Sequence, residues 1–226
     1  NVQALRSGVK YLSDKWKVKF ILTGSSSYYL KSLFPESLAG RKLIFELYPL
    51  TFTEFLEFKN IKRITPQTFS EKAQHKNKIA YQTYLPLYKE YIAYGGFPSV
   101  VLEPDPERKH SLLQEIFTSY FEHDVKQLAD FKDMGRLRDL ILLLIPRVGQ
   151  KIEIAKIASI LATSRETIYS YLTFLERTYF IKLLPKFSSS IDRQAAGSKK
   201  VYLCDGGLVS AIGKLSVGQL FEQSVF

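Results

Sequence analysis

The stretch from Ile152 to Phe187, "IEIAKIASILATSRETIYSYLTFLERTYFIKLLPKF", decides the fold of the C-terminal part of the chain. Ile154, Ile157, Ala158 and Leu161 recur at helical spacing and form one apolar face. A turn at Ala162 and Thr163 follows, and a second helix carries Ile168, Leu172 and Leu175 inward. Thr163 and Glu166 have the spacing of a capping box, which predicts where that second helix starts. Beyond it, "YFIKLLPKF" and "KKVYLCD" pattern as two strands around the polar, basic loop "SSSIDRQAAGS".

Helix, tight turn, helix and β-hairpin are the parts of a winged helix, here over residues 133–205. On its second helix Arg165, Thr167, Tyr169, Ser170 and Thr173 lie off the apolar face, where short polar and aromatic side chains reach phosphates and base edges. Arg193, Lys199 and Lys200 in the hairpin are placed to contact backbone phosphate beside a groove. Double-stranded DNA is therefore one candidate partner. A protein is the other, because winged helices also serve as docking modules and Glu166 stands beside Arg165 at the N-terminal end of the helix.

Upstream, the pattern from Pro66 to Arg147 is helical, broken by "GGFPSV" at Gly95 and "EPDPE" at Glu103. Gly95, Gly96 and Pro98 read as a helix C-cap and a sharp turn. Asn1 to Leu12 reads as a helix, "VKFIL" (18–22) as a short buried strand, and Lys42 to Tyr48 as an alternating strand. Thr51 and Glu54 then form a capping box at the start of "TFTEFLEF". Two strands separated by a helix imply a parallel α/β sheet, and two strands are too few to stand alone. The expected fold class is an α/β remnant followed by helices and a winged helix, predominantly α-helical.

The 226 residues carry 32 Lys and Arg against 22 Asp and Glu, a net charge of +10 that favours an anionic partner such as nucleic acid. From Gly135 onward the ratio is 13 to 7, so the C-terminal part is the more basic. No apolar run approaches the ~18 residues that span a bilayer, which argues against a membrane partner. One cysteine, Cys204, excludes an intramolecular disulfide framework, and with no targeting pattern at the start the expectation is a cytoplasmic, prokaryotic protein. His75, His110 and His123 have no zinc-ligand spacing, so no metal site is expected.

The turn in "KFILTGSSSYYLKSLF" (19–34) has the form strand, small polar turn, helix, which suits phosphate-binding hydroxyls. The cradle G-x-x-x-x-G-K-[ST] is nevertheless absent. Gly207 and Gly213-Lys214 are separated by one residue too many and are followed by leucine. Taken together, "KFILTGSSS", "LAGRKLIFELYPLTFTEF", "YGGFP" and "KKVYLCDGGL" resemble bacterial and archaeal AAA+ ATPases whose C-terminal half is a domain of unknown function. The resemblance covers nearly the whole chain. It implies that residues 1–65 are the last part of a nucleotide-binding domain, 66–132 a helical lid, and 206–226 the start of a further, restriction-endonuclease-like domain.

On the same resemblance, Thr23, with Ser25 as the second choice, would be the sensor 1 hydroxyl that orients water near the γ-phosphate, and Arg41 an arginine finger reaching a neighbouring subunit in a homo-oligomer. Capping of the next helix is the other reading of Ser25, and a surface loop charge the other reading of Arg41. The P-loop and Walker B acid of the family would lie before Asn1, so ATP and Mg²⁺ belong to the parent protein, and the sequence printed is expected to hold neither alone. Three function classes follow: an ATP-driven protein acting on DNA, a regulatory ATPase docking protein partners, and a non-enzymatic winged-helix regulator.

Overall fold

The computed structural model describes residues 2–23, 43–62, 70, 78–126, 131, 133–190, 192, 194 and 197–225. Helix α1 runs over Val2–Trp16, four residues beyond the expected end at Leu12. The next two segments correct the sequence reading. Residues 17–23 and 43–48 belong to no strand, Lys17 taking φ 53, and the only sheet among the described residues lies elsewhere. Ile21, Phe45 and Leu47 are 87, 85 and 98% exposed. Alternating apolar residues become a strand only when a second strand takes up their N–H and C=O groups, and among the described residues none does.

Helix α2 (Phe52–Phe58) starts at the capping box expected from Thr51 and Glu54: Glu54 N–H donates to Thr51 Oγ1 at 3.4 Å and Thr51 N–H donates to Glu54 Oε2 at 2.8 Å. Helix α3 (Lys78–Tyr94) contains Pro86, which removes one N–H from the helix ladder. Gly95 ends α3 in the left-handed region, at φ +75. Then follow α4 (Pro98–Leu102), which begins on a proline whose missing N–H costs the helix nothing there, and α5 (Pro106–Ser119), whose N-cap Asp105 accepts from Glu107 and Arg108 N–H. A wide turn of π-helix (Tyr120–Val125) continues α5. The helical run then breaks at a place the sequence reading passed over, because Asp133 caps a new helix, α6 (Met134–Leu144).

After the tight turn Ile145–Arg147, helices α7 (Ile154–Ile160) and α8 (Arg165–Arg177) are joined by a bend in which Ala162 takes φ 46. The cap of α8 is Ser164 rather than Thr163: its hydroxyl accepts from Thr167 N–H at 3.1 Å. The cap lies one residue later than expected because Ser164 is the residue with the extended cap backbone, φ −79 and ψ 157, ahead of the first helical turn. Strands β1 (Ile181–Leu184) and β2 (Lys200–Leu203) form an antiparallel pair with Ile181 opposite Leu203, shorter than the two segments the sequence suggests. Bridges from Val148 and Lys151 to β2 lay a third segment alongside. Helices α9 (Gly206–Ile212) and α10 (Val217–Val225) close the chain.

Two apolar clusters hold these elements. The larger runs without interruption from Val100 and Leu113 through Leu140, Ile168 and Leu175 to Val201, Leu208 and Val209. Thus α9 belongs to the same core as α5–α8. Phe55, Leu56 and Val101 anchor the smaller cluster, with Tyr84, Leu87 and Tyr91 of α3 around them. Among the described residues no helix is long and apolar enough to cross a membrane.

Candidate functional site

Three of the stretches that stood out in the sequence meet at one buried point. Leu50 N–H donates to Gly96 C=O at 2.8 Å, and Tyr91 Oη donates to Leu50 C=O at 3.0 Å. From the other side Asp205, 5% exposed, accepts Gly96 N–H at 2.7 Å while capping α9 through Gly207 and Leu208 N–H at 2.8 and 3.2 Å. The packing leaves no room for side chains: a Cβ on Gly96 would lie 2.1 Å from Leu50 C=O, and one on Gly95 2.0 Å from Asp205 Oδ1. Burial raises the Asp205 carboxyl to about 6, against the opposing pull of its three N–H donors. Every one of those donors is satisfied within the fold, so this is a structural joint between the N-terminal segment and α9.

A second buried charge ties α3 to α5. Lys109, 3% exposed, donates to Glu90 Oε1 at 2.6 Å and to Val100 C=O at 3.1 Å, and Lys59 reaches the same carboxylate oxygen at 2.8 Å. Burial pushes Glu90 up, but hydrogen bonds and charge from Lys109 and Lys59 outweigh it and hold the carboxyl below its ordinary value. Nothing in the sequence reading singled out this network. Its signal would have been Lys109 falling between apolar positions of α5.

Helix α8 presents an exposed face of mixed chemistry. Its inner face buries Ile168, Tyr171, Leu172, Phe174 and Leu175, which forces the remaining positions outward. Arg165, Tyr169, Ser170, Thr173 and Arg177 are exposed along this outer face. Thr167 is less available, because its N–H and hydroxyl both engage Ser164. Glu166 is fully exposed, and its hydrogen bonds to its own N–H and to Ser164 lower its pKa, so it is ionised at neutral pH.

In the hairpin, Lys199 is exposed, whereas Lys200 is paired with Glu222 of α10 at 2.8 Å and Glu222 also accepts from Tyr202 Oη at 2.7 Å. The positive charge of Lys200 is thus already answered from within the chain. Arg193 lies outside the described residues.

On the nucleotide side, Thr23 is exposed, while Ser25 and Arg41 lie outside the described residues. Tyr179, at φ 58 between α8 and β1, donates to Glu46 and stands edge-on to Tyr48 with ring centroids 5.6 Å apart. The segment containing Glu46 therefore touches the end of α8. Burial, and then the neighbouring Asp205 carboxylate, push the Cys204 thiol well up, which makes it a poor nucleophile. No cluster of three metal-ligating side chains occurs among the described residues.

Comparison with known proteins places this geometry in context. Residues 85–219 match the family model of a domain of unknown function (DUF8612), and residues 1–56 match that of an AAA domain. An uncharacterized protein of Methanocaldococcus jannaschii, MJ1544, is 34% identical over 224 residues, covering 96% of this chain and 48% of that protein. An uncharacterized protein of Haemophilus influenzae is 31% identical over 219 residues, covering 94% of this chain and 50% of its own length. A second M. jannaschii protein, MJ1637, is 26% identical over 206 residues, 85% of this chain and 42% of its own. The chain spans about half the length of these relatives. No solved structure matches it.

Proposed function

The chain belongs to the DUF8612 family and opens on an AAA domain match, and from that premise we propose that it is part of an AAA-type ATPase that grips double-stranded DNA through helix α8. In this reading residues 1–65 finish a nucleotide-binding domain, 66–132 form the lid and 133–205 a winged helix, with α9 packed into the same core as α5–α8 rather than opening a further domain. One observation carries the reading: α8 buries one whole face and turns Arg165, Tyr169, Ser170, Thr173 and Arg177 to solvent. A helix held this way presents hydrogen-bonding and aromatic side chains at a fixed spacing, as groove recognition requires. The order α6, bridging segment, α7, bend, α8, β1 and β2 supports the winged-helix reading.

In the same proposal Thr23, Ser25 and Arg41 serve ATP and Mg²⁺ in the complete protein, with Arg41 acting on a neighbouring subunit of a homo-oligomer. The residues of this chain do not by themselves fit a triphosphate, since the sequence contains no phosphate cradle. No step of hydrolysis is derived through it.

The test is fluorescence anisotropy of a labelled duplex with the unaltered chain and with Tyr169→Ala/Thr173→Ala. Removing two central contacts is expected to weaken binding at least tenfold, at about 1–3 kcal/mol for each good base contact. Equal affinity of the two proteins would remove α8 from the interface. A protein-docking role draws on a different observation, the ionised Glu166 at the start of α8, and predicts that neither protein binds the duplex.

A further inference from the structure

A depression beside α7 shows chemistry that the α8 reading does not use. It has a volume of about 310 Å³ and is lined by Pro146, Arg147, Gln150, Lys151, Glu153, Lys156 and Ile157. We infer that it is a seat for a phosphate group, carried either by a nucleic-acid backbone or by a free phosphorylated ligand.

Charge comes first. Three cationic side chains line the depression against one carboxylate. Lys59, Lys109, Lys126 and Lys200 each have an acidic partner, but Lys151 and Lys156 have none among the described residues. With a single carboxylate among them the three cations keep a net positive charge, and an anion between them relieves their remaining repulsion. An arginine fork flanked by two ammonium groups suits the several oxygens of a phosphate better than the two of a carboxylate.

Position is fixed as well. The Arg147 guanidinium donates to Leu143 C=O at the end of α6, and Gln150 N–H donates to Arg147 C=O at 2.8 Å. Gly149 N–H donates to Val201 C=O, and Ile152 N–H to Lys199 C=O, both at 2.9 Å, so the segment bearing Lys151 is pinned to the sheet. Lys156 stands on α7 next to Ile157, which is 1% exposed. The walls are therefore held by the core, and a ligand meets a formed site, which lowers the ordering cost of binding.

None of these residues belongs to the outer face of α8, so the inference stands or falls separately from the proposed function. The experiment follows the amide resonances of Gln150, Lys151 and Lys156 at about 50 mM salt, titrating a duplex in one arm and inorganic pyrophosphate in the other. Lys151→Ala/Lys156→Ala is expected to abolish the shifts, and Lys151→Arg/Lys156→Arg to restore them. Where the duplex binds, the alanine pair should also flatten the log–log salt slope by up to about 2. Shifts with both probes, or with the duplex alone, assign the seat to a nucleic-acid backbone. Shifts with pyrophosphate alone assign it to a free phosphorylated ligand and leave the α8 reading to its own anisotropy test. Absence of shifts with either probe, or shifts that survive the alanine pair, would overturn the inference.

Discussion

Asp205 is the residue on which the joint turns. It caps α9 and holds Gly96 with the same carboxylate, and its raised value of about 6 exceeds the ordinary Asp value near 3.9. The sign follows directly. A folded-state value above the unfolded one contributes stability that is complete below about 4 and is lost as pH rises through about 6. Glu90 works in the opposite sense, because its lowered value adds stability above its ordinary range that is lost only under more acidic conditions. Urea unfolding at pH 4.5 and pH 7 is therefore expected to show a decline attributable to Asp205 of about 2 kcal/mol. Asp205→Asn should shrink that difference while lowering stability at both values, since an amide cannot accept as well from three N–H groups. A pH difference unchanged in the variant would contradict the assignment. The sequence showed Asp205 as a cap of "GLVSAIG", but not its bond to Gly96, because a contact across 109 residues leaves no local pattern.

Among the elements, helices were the most legible. Periodicity placed α7 and α8, and the capping box at Thr51 was visible as a three-residue spacing. Where two adjacent hydroxyls competed, the local pattern failed: Thr163 and Ser164 both suit a cap, and only the backbone turn at Ala162 selects Ser164. Ser164→Ala is expected to cost about 1 kcal/mol in thermal or urea unfolding, and Thr163→Ala close to nothing. The reverse order would restore the box read from sequence. Strands were less legible. Apolar alternation in 43–48 is real, yet a strand is a relation between two segments, and the described residues supply no second one. The outer face of α8 was readable because helical spacing alone assigns it, whereas the pairing of Lys200 with Glu222 depends on how α10 lies against β2.

At the scale of the whole molecule, one apolar cluster from Val100 to Val209 makes α5–α9 a single cooperative body, with α8 rigidly seated in it. The joint of Leu50, Gly96 and Asp205 connects that body to the segment preceding α2, and Tyr179 touches the same segment through Glu46. The body that carries α8 and the segment that matches an AAA domain are thus in direct contact in one fold, and the net charge of +10 gives the chain a long-range attraction for an anionic polymer. The most direct test of this account is the salt dependence of duplex binding by the unaltered chain, measured by anisotropy between about 50 and about 200 mM salt. With Arg165, Arg177 and Lys199 all exposed, the account predicts a dissociation constant that rises with salt at a log–log slope of about 3 or steeper. No binding at about 50 mM, or binding indifferent to salt, would contradict it.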